Sequence, residues 1–521
     1  MTRAIQKTAA LSIGIVTLAF TGCVTNPVTG KSEISIVSAA QELQIGQQNY
    51  APMQQSQGGQ YRLDPSVGQY VSEVGQRIAL KSPRDLPYEF VVLNNSVPNA
   101  WALPGGKIAI NRGLLTRMSS EAELAAVLGH EIVHAAAKHS AKQIQRGMFL
   151  QALVIGTAVV TSDSDYGNLA AGAANIGAQL LSQSYSRKAE LESDYYGMKY
   201  MADAGYNPEG AVDLQETFLR MAEESGRPQG PNLLASHPPS QQRLATNNVT
   251  AQEIAASPGY APGIMGQDTY KARMRTLFET VPAYDAYDAG RKALADKDYR
   301  TAAAKARQAI NLEPREARFY ALLGDIDLLQ NASDSAITNY TRALDRDATF
   351  FYYHLQRGLA RKQAGNIAGA ESDLQSSLKL FQTAPAMLAL GEISADRRDF
   401  ETARRYYGAA AGSPGEAGVA AKTALMRMDF NRNPSAFLQV RSGLDGNGQL
   451  LIAVNNPNPL AVRDVQVRIR YLDSSGQTRD ITRRFNGTLS ANDNATVGTG
   501  LGPFQSAQQY DVQLIGAVLA E

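Results

Sequence analysis

Apolar positions follow several different rhythms along this chain, and each predicts a different element. Ile108 and Ile110 alternate with Lys107 and Ala109 behind the turn signal Pro104-Gly105-Gly106, as in a strand. Leu124-Ala125-Ala126-Val127-Leu128 is unbroken, and Ala135, Ala136 and Ala137 extend it. With Ser119 or Ser120 as cap and Glu121 and Glu123 in the first turn, this reads as a buried helix. Met148 to Val160 and Leu169 to Leu181 are arms rich in small residues, separated by Asp163-Ser164-Asp165. Each arm is too short to cross a bilayer, so the pair predicts a helical hairpin packed over its domain.

From about residue 283 a longer period takes over. Gly290, Gly324 and Gly358 are 34 residues apart (324 − 290 and 358 − 324), as are Ala302, Ala336 and Ala370. Gly391 and Ala403 supply a further copy shifted by one residue, and Ala309, Ala343 and Ala410 recur later in the unit, with Ser377 the exception. This spacing is similar to that of tetratricopeptide (TPR) repeats, two helices per unit with small residues where they cross, stacked into a solenoid with a concave docking face. Arg291, Arg318, Arg357 and Arg361 are candidates for that face. Val465, Val467, Ile469 and Tyr471 then alternate with Gln466, Arg468 and Arg470 among turn signals such as Asp445-Gly446-Asn447-Gly448, which predicts a small β-sandwich.

Length and composition refine this. A chain of 521 residues exceeds one ordinary core, and 44% hydrophobic content is that of a globular protein. Fifty basic against 49 acidic residues leave a net charge of +1 with no dominant basic patch, so nucleic acid is not an expected partner. Arg3 and Lys7 precede a short apolar run, Ala9 to Phe20, which reads as an export signal. It ends Leu18-Ala19-Phe20-Thr21-Gly22-Cys23, which resembles a lipoprotein lipobox. Cys23 is the only cysteine, so no intrachain disulfide forms, and lipidation of Cys23 is its expected role. Val24 after it implies, by that resemblance, the outer membrane facing the periplasm, with a soluble periplasmic protein as the alternative. Asn26-Pro27-Val28-Thr29-Gly30 reads as a tether.

The chemistry centres on His130-Glu131-Ile132-Val133-His134. Residues four apart share a helix face, so His130 and His134 can direct two nitrogens at one zinc ion, while Glu131 can hold and deprotonate a water. His139 falls about 140° further round a continuing helix and is expected to be structural or exposed. Position 140 is serine, so no HExxHxxGxxH pattern exists and the third ligand must come from elsewhere. Glu190 and Asp194 share a face in Ser186-Arg187-Lys188-Ala189-Glu190-Leu191-Glu192-Ser193-Asp194. Glu190 is the candidate ligand, and Asp194 the candidate partner for a ligand histidine's ring N–H.

HEIVH followed by SRKAELESD resembles the HtpX/BepA-type gluzincin metallopeptidases, relatives of the CAAX prenyl proteases. Asn99-Ala100-Trp101-Ala102-Leu103-Pro104-Gly105-Gly106 is similar to the family's NAxAxPGG segment, and Ser236-His237-Pro238-Pro239-Ser240-Gln241-Gln242-Arg243 to its HPxxxxR segment. The resemblance implies one zinc held by His130, His134 and Glu190, with Glu131 as general base. His237 would stabilise an oxyanion or close the open zinc position. Asn99, Ala100, Trp101 and Arg243 are candidate substrate-binding residues, an edge strand there receiving an extended peptide; Trp101, the only tryptophan, also suits plain packing.

The expected architecture is a mainly α, zincin-like (α+β) metallopeptidase, a TPR solenoid and a terminal β-sandwich. Its expected divisions are a signal peptide at 1–22, a tether and helix at 23–60, the peptidase at 61–262, a linker at 263–282, about four repeats at 283–430 and the β-module at 431–521. The expected function is an envelope zinc endopeptidase degrading misassembled outer-membrane proteins, with polypeptide substrates, a membrane anchor at Cys23 and outer-membrane assembly machinery as a repeat partner. The alternative is a chaperone or scaffold that works mainly through the repeats.

Overall fold

The computed structural model describes residues 22–35, 37–143, 184–225, 233–473 and 475–520. Nearly all of the expected signal peptide, and the predicted hairpin from 148 to 181, lie outside the described residues. Among those described, no helix is long and apolar enough to cross a membrane. The chain divides into two compact units.

Among the described residues, the first unit holds those up to Ala51 and those from Asp64 to Thr276. It opens with a hairpin of β1 (Gly22–Thr25) and β2 (Ser32–Ser35). The segment expected as a tether is this hairpin's turn: Asn26 Oδ1 accepts from the N–H groups of Val28 (2.9 Å) and Thr29 (3.3 Å), and Gly30 takes φ +69°. Such side-chain acceptance by Asn stabilises tight turns. Helix α1 (Ala39–Ser56) follows, then α2 (Pro65–Ala79), capped by Asp64, which accepts from Ser66 N–H at 3.0 Å.

A three-stranded sheet comes next, in the order β3 (Glu89–Leu93), β5 (Lys107–Asn111), β4 (Ala100–Leu103), with β5 parallel to β3 and antiparallel to β4. After the single turn α3 (Arg112–Leu115) comes α4 (Glu121–Ala136), every residue of which is buried. Ser120 caps it, accepting from Glu123 N–H at 3.2 Å, while Glu123 accepts from Ser119 N–H at 2.6 Å.

Against α4 lies α5 (Arg187–Asp203), and the crossing is made by glycine. A Cβ on Gly129 would stand 2.9 Å from the Gly197 carbonyl oxygen, and one on Gly197 would stand 2.9 Å from the His130 nitrogen. Helices α6 (Glu209–Ser225), α7 (Leu233–Ser236) and α8 (Gln241–Ala255) complete the surroundings of α4 and α5. Residues 263–276, expected as linker, are instead part of this unit. Ala122 N–H donates to Met265 O at 3.1 Å, Asn207 N–H to Ile264 O at 3.1 Å, and the Tyr270 hydroxyl of α9 (Gln267–Arg273) to Leu115 O at 2.7 Å. The polar composition concealed this, because backbone pairing and one buried tyrosine hold the segment.

The second unit takes residues 52–63 and everything from Leu277. Paired helices fill 275–429: α10 (Arg275–Ala295), α11 (Tyr299–Leu312), α12 (Ala317–Leu329), α13 (Ser333–Leu344), α14 (Phe351–Gln363), α15 (Ile367–Leu380), α16 (Ala384–Asp396), α17 (Phe400–Ala411) and α18 (Glu416–Asp429). The second helices of successive pairs start at 299, 333, 367 and 400, spacings of 34, 34 and 33 residues (333 − 299, 367 − 333, 400 − 367). Small residues sit at the crossings for a steric reason. A Cβ on Gly324 would meet the Tyr340 ring at 2.7 Å, and one on Gly391 the Tyr407 ring at 2.6 Å, while Ala302, Ala336, Ala370 and Ala403 have no exposed surface.

The repeat arginines are engaged within the second unit: Arg357 donates twice to Asp373 at 2.8 Å and Arg361 once at 2.7 Å, while Arg318 donates to the Gly58 carbonyl. After the helices come two three-stranded antiparallel sheets. One has the order β10 (Asp493–Gly498), β7 (Leu450–Asn456), β6 (Gln439–Leu444). The other has the order β11 (Tyr510–Leu519), β8 (Val462–Leu472), β9 (Thr478–Leu489). Ile452 and Val454 of the first and Val465, Val467 and Ile469 of the second share one hydrophobic core with Met426 and Phe430 of the last repeat helix.

Candidate metal centre

Helix α4 presents His130 and His134 on one face, and the glycine crossing brings α5 close enough to add Glu190 from its first turn. His237 follows α7, its N–H bonded to Leu233 O at 2.7 Å. One ligand atom from each of His130, His134, Glu190 and His237 lies within 4.8 Å of every other, and all four residues are buried. His134 Nε2 is 2.9 Å from His130 Nε2 and 3.4 Å from Glu190 Oε1. His237 Nδ1 is 3.2 Å from His130 Nε2 and 3.0 Å from Glu190 Oε1.

These separations fit one small cation. Zinc bonds of about 2.0–2.1 Å in a tetrahedron place neighbouring ligand atoms roughly 3.3–3.4 Å apart, and a nitrogen-and-carboxylate donor set is what zinc favours. The tautomers agree. His130 Nδ1 lies 2.9 Å from Asp194 Oδ1, so it carries the proton and leaves Nε2 as a lone pair facing the cluster. Burial holds His134 well below the ordinary imidazole range, hence neutral. Burial opposes the charge of Glu190, but His237 and His130 beside it keep its carboxyl well below the usual range.

Glu131 stands next to the cluster, 1% exposed, and burial pushes its carboxyl up. His237 Nε2 is 3.6 Å from Glu131 Oε1, while Glu131 Oε2 has no hydrogen-bond partner among the described residues. A buried carboxylate oxygen without a donor is a place for a water or a substrate N–H. For His237, burial works against a positive charge, yet Glu190 and Glu131 lift its pKa above the ordinary value.

Arg243, expected among the substrate-binding residues, is engaged by the protein itself. Its Nε and Nη2 each donate to Asp194 at 2.7 Å, and its Nη1 lies 2.8 Å from Glu190 Oε2 and donates to the carbonyls of His237 (3.4 Å) and Pro238 (3.3 Å). A fork of donors matched to carboxylates ties α8 to α5 and to the His237 loop. Burial resists the ionisation of Asp194, but this guanidinium holds its carboxyl below the usual range.

Asn99, Ala100 and Trp101 are buried. Trp101 packs edge-on against Tyr50 with ring centroids 6.2 Å apart. Strand β4 is the outer strand of its sheet, and the Ala102 carbonyl already accepts from Ser140 Oγ at 2.7 Å. Cys23 falls in β1 opposite Ile34.

Sequence reasoning passed over several neighbours. Tyr185 stacks on His134 with centroids 3.9 Å apart, and no periodicity marked it. Gly129 and Gly197 went unremarked, although the glycine just before His130 was a usable signal. An apolar pocket lined by Ala126, Val127, Met198, Leu214, Phe218 and Leu233 adjoins His130, Glu131 and His237.

Residues 63–249, which contain His130, Glu131, His134, Glu190, Asp194, His237 and Arg243, match Peptidase family M48. This domain belongs to family M48. It is therefore a zinc metalloendopeptidase domain, and the buried cluster could hold one metal ion. The chain is 27% identical over 367 residues to the Beta-barrel assembly-enhancing protease of Escherichia coli (strain K12), covering 65% of this chain and 73% of that protein. It is 34% identical over 222 residues to the Mitochondrial metalloendopeptidase OMA1 of Schizosaccharomyces pombe, covering 42% and 63%. The solved Arabidopsis OM64 TPR domain overlays 23% of this chain and 98% of its own at 22% identity, with a TM-score of 0.22.

Proposed function

We propose that this M48 protein is an envelope endopeptidase that cleaves misassembled proteins. His130, His134 and Glu190 hold the zinc in this reading, and Glu131 is the general base. The observation that carries it is the convergence of four buried ligand atoms beside a buried carboxylate with an unpartnered oxygen. Zinc, when bound, supplies Lewis-acid polarisation and lowers the pKa of water. Glu131, with its carboxyl raised by burial, is suited to take a proton from the attacking water and return it to the leaving amine. Asp194 holds the His130 tautomer, and Arg243 anchors Asp194 and the His237 loop. His237 would complete the donor set and cover the position a substrate needs, so that displacement of its loop would open the site. The neighbouring pocket favours an apolar substrate side chain.

The helix pairs at 34-residue spacing are read as TPR units that recruit protein clients, and the paired sheets as a β-sandwich. Lipidation of Cys23 and an outer-membrane location follow from the lipobox, and the protein named for β-barrel assembly supports the envelope role. The test is purified protein, assayed for zinc and for cleavage of an unfolded polypeptide. Wild type holds one equivalent of zinc, Glu190→Ala loses it, and Glu131→Gln keeps it while cleavage falls by about 10²–10⁴. Wild-type cleavage by Glu131→Gln overturns the proposal. Full complementation of a deletion strain by that variant would move the biological role to the repeats.

A further inference from the structure

His139 was expected to point away from the metal, at the bearing of a continuing helix. The helix does not continue. Helix α4 ends at Ala136, and Lys138 takes φ +60°, a left-handed conformation that breaks the helix before a new helical turn starts at His139. His139 thereby turns back onto α4 and is 7% exposed. Its Nδ1 lies 3.1 Å from Nδ1 of His134, on the side of that ring away from the cluster. Its Nε2 lies 3.3 Å from Oε1 of Glu192 on α5.

We infer that His139 and Glu192 form a relay that fixes the tautomer and orientation of His134, making His139 a positioning residue of the metal centre. This rests on the reading that His134 Nε2 is a metal ligand. If Nε2 presents a lone pair, the single proton of neutral His134 is on Nδ1. It is then donated to His139 Nδ1, which must itself be a lone pair. The His139 proton is therefore on Nε2, facing the carboxylate of Glu192. Each proton in the chain has one position, and the chain ends beside the Glu192 carboxylate, which lies in ion-pair range of His139 without a formed hydrogen bond. Ser193 Oγ, 3.4 Å from His139 Nδ1, is the one competing contact at that atom among the described residues, and it is longer than the bond from His134.

The two histidines of the HEIVH helix are thus supported in parallel. His130 leans directly on Asp194, and His134 leans on Glu192 through an inserted imidazole. Asp194 and Glu192 both come from α5, which also carries Glu190. One helix therefore supplies a ligand and the outer partners of two others. Partners of this kind commonly change metal affinity by about 10–100-fold.

The test measures zinc affinity of the full chain by chelator competition, the visible spectrum of the cobalt-substituted protein, and thermal unfolding of the metal-free protein. His139→Phe keeps the ring volume and removes both nitrogens. Zinc affinity is expected to fall about 10–100-fold with a changed cobalt spectrum. His139→Gln, which can accept from His134 and donate to Glu192, recovers most of the loss. Glu192→Ala, a truncation at a partly exposed position, shows a smaller fall in the same direction and decides the matter if His139→Phe does not fold. Zinc affinities of His139→Phe and Glu192→Ala within about twofold of wild type overturn the relay. Wild type without a stoichiometric zinc overturns instead the metal assignment on which the relay rests.

Discussion

Replacing Gly197 by alanine tests whether the distance between two helices sets the metal centre. The added Cβ would lie 2.9 Å from His130 N, 3.0 Å from Gly129 C and 3.2 Å from His130 Cα. All three are backbone atoms, so no rotamer change relieves the contact. Opening them to the roughly 3.5 Å of ordinary contact moves α5 from α4 by about half an ångström. Overpacking of this kind typically costs about 1–3 kcal/mol, and alanine returns roughly 1 kcal/mol of helix propensity. The net loss of stability is therefore only about 0–2 kcal/mol. The consequence for the metal is larger, because Glu190 rides on α5 and His130 and His134 on α4, and such sites tolerate about 0.5 Å of misplacement. Zinc affinity should fall at least tenfold, about 1.4 kcal/mol, with proteolysis following it. Chelator competition and urea unfolding measure the two effects separately. Gly408→Ala in α17, where a Cβ would meet nothing within 4 Å, is the control and should be neutral or slightly stabilising. Unchanged zinc affinity in Gly197→Ala would refute the argument that the glycine crossing sets the ligand geometry.

The repeat region yields two further predictions. Ser377 stands where the other copies carry alanine, fully buried, with no hydrogen-bond partner for its hydroxyl among the described residues. Ser377→Ala should stabilise the second unit by about 1 kcal/mol, read as a raised unfolding temperature for that transition. Asp325 accepts from the hydroxyls of Tyr340 (2.8 Å) and Tyr352 (2.9 Å), and burial pushes its carboxyl up to about 6. Below the unfolded value of 3.8 both states are protonated; between there and about 6 the folded state alone keeps the proton. Stability from this group therefore falls as pH rises through that window and levels off above it, by about 1–3 kcal/mol in all. Asp325→Asn should gain stability over wild type at pH 7.5 but not at pH 4, measured by thermal unfolding; a difference that does not vary with pH contradicts the buried-charge account.

Periodicity carried far where each residue's environment repeats. The 34-residue spacing of Gly290, Gly324 and Gly358 reappears as the spacing of helix pairs, because each small residue answers the same local crossing. Alternation in Val465 to Tyr471 likewise became β8, since opposite faces of a strand see opposite environments. Extrapolation failed where one residue interrupted a regular element. Lys138 broke the helix and placed His139 beside His134, and Asn26 turned an expected tether into a hairpin.

The sequence by itself determined the pair His130 and His134, the adjacent Glu131 and the candidates Glu190 and Asp194, because four-residue spacing on a helix is local geometry. Only the tertiary structure decided that Gly129 and Gly197 let α4 and α5 touch, that His237 lies within 4.8 Å of His130, His134 and Glu190, that Arg243 faces Asp194 and Glu190, and that Glu192 meets His139. Those are contacts between segments distant in the chain. Their distances depend on how side chains of different helices exclude one another, which no one-dimensional pattern records.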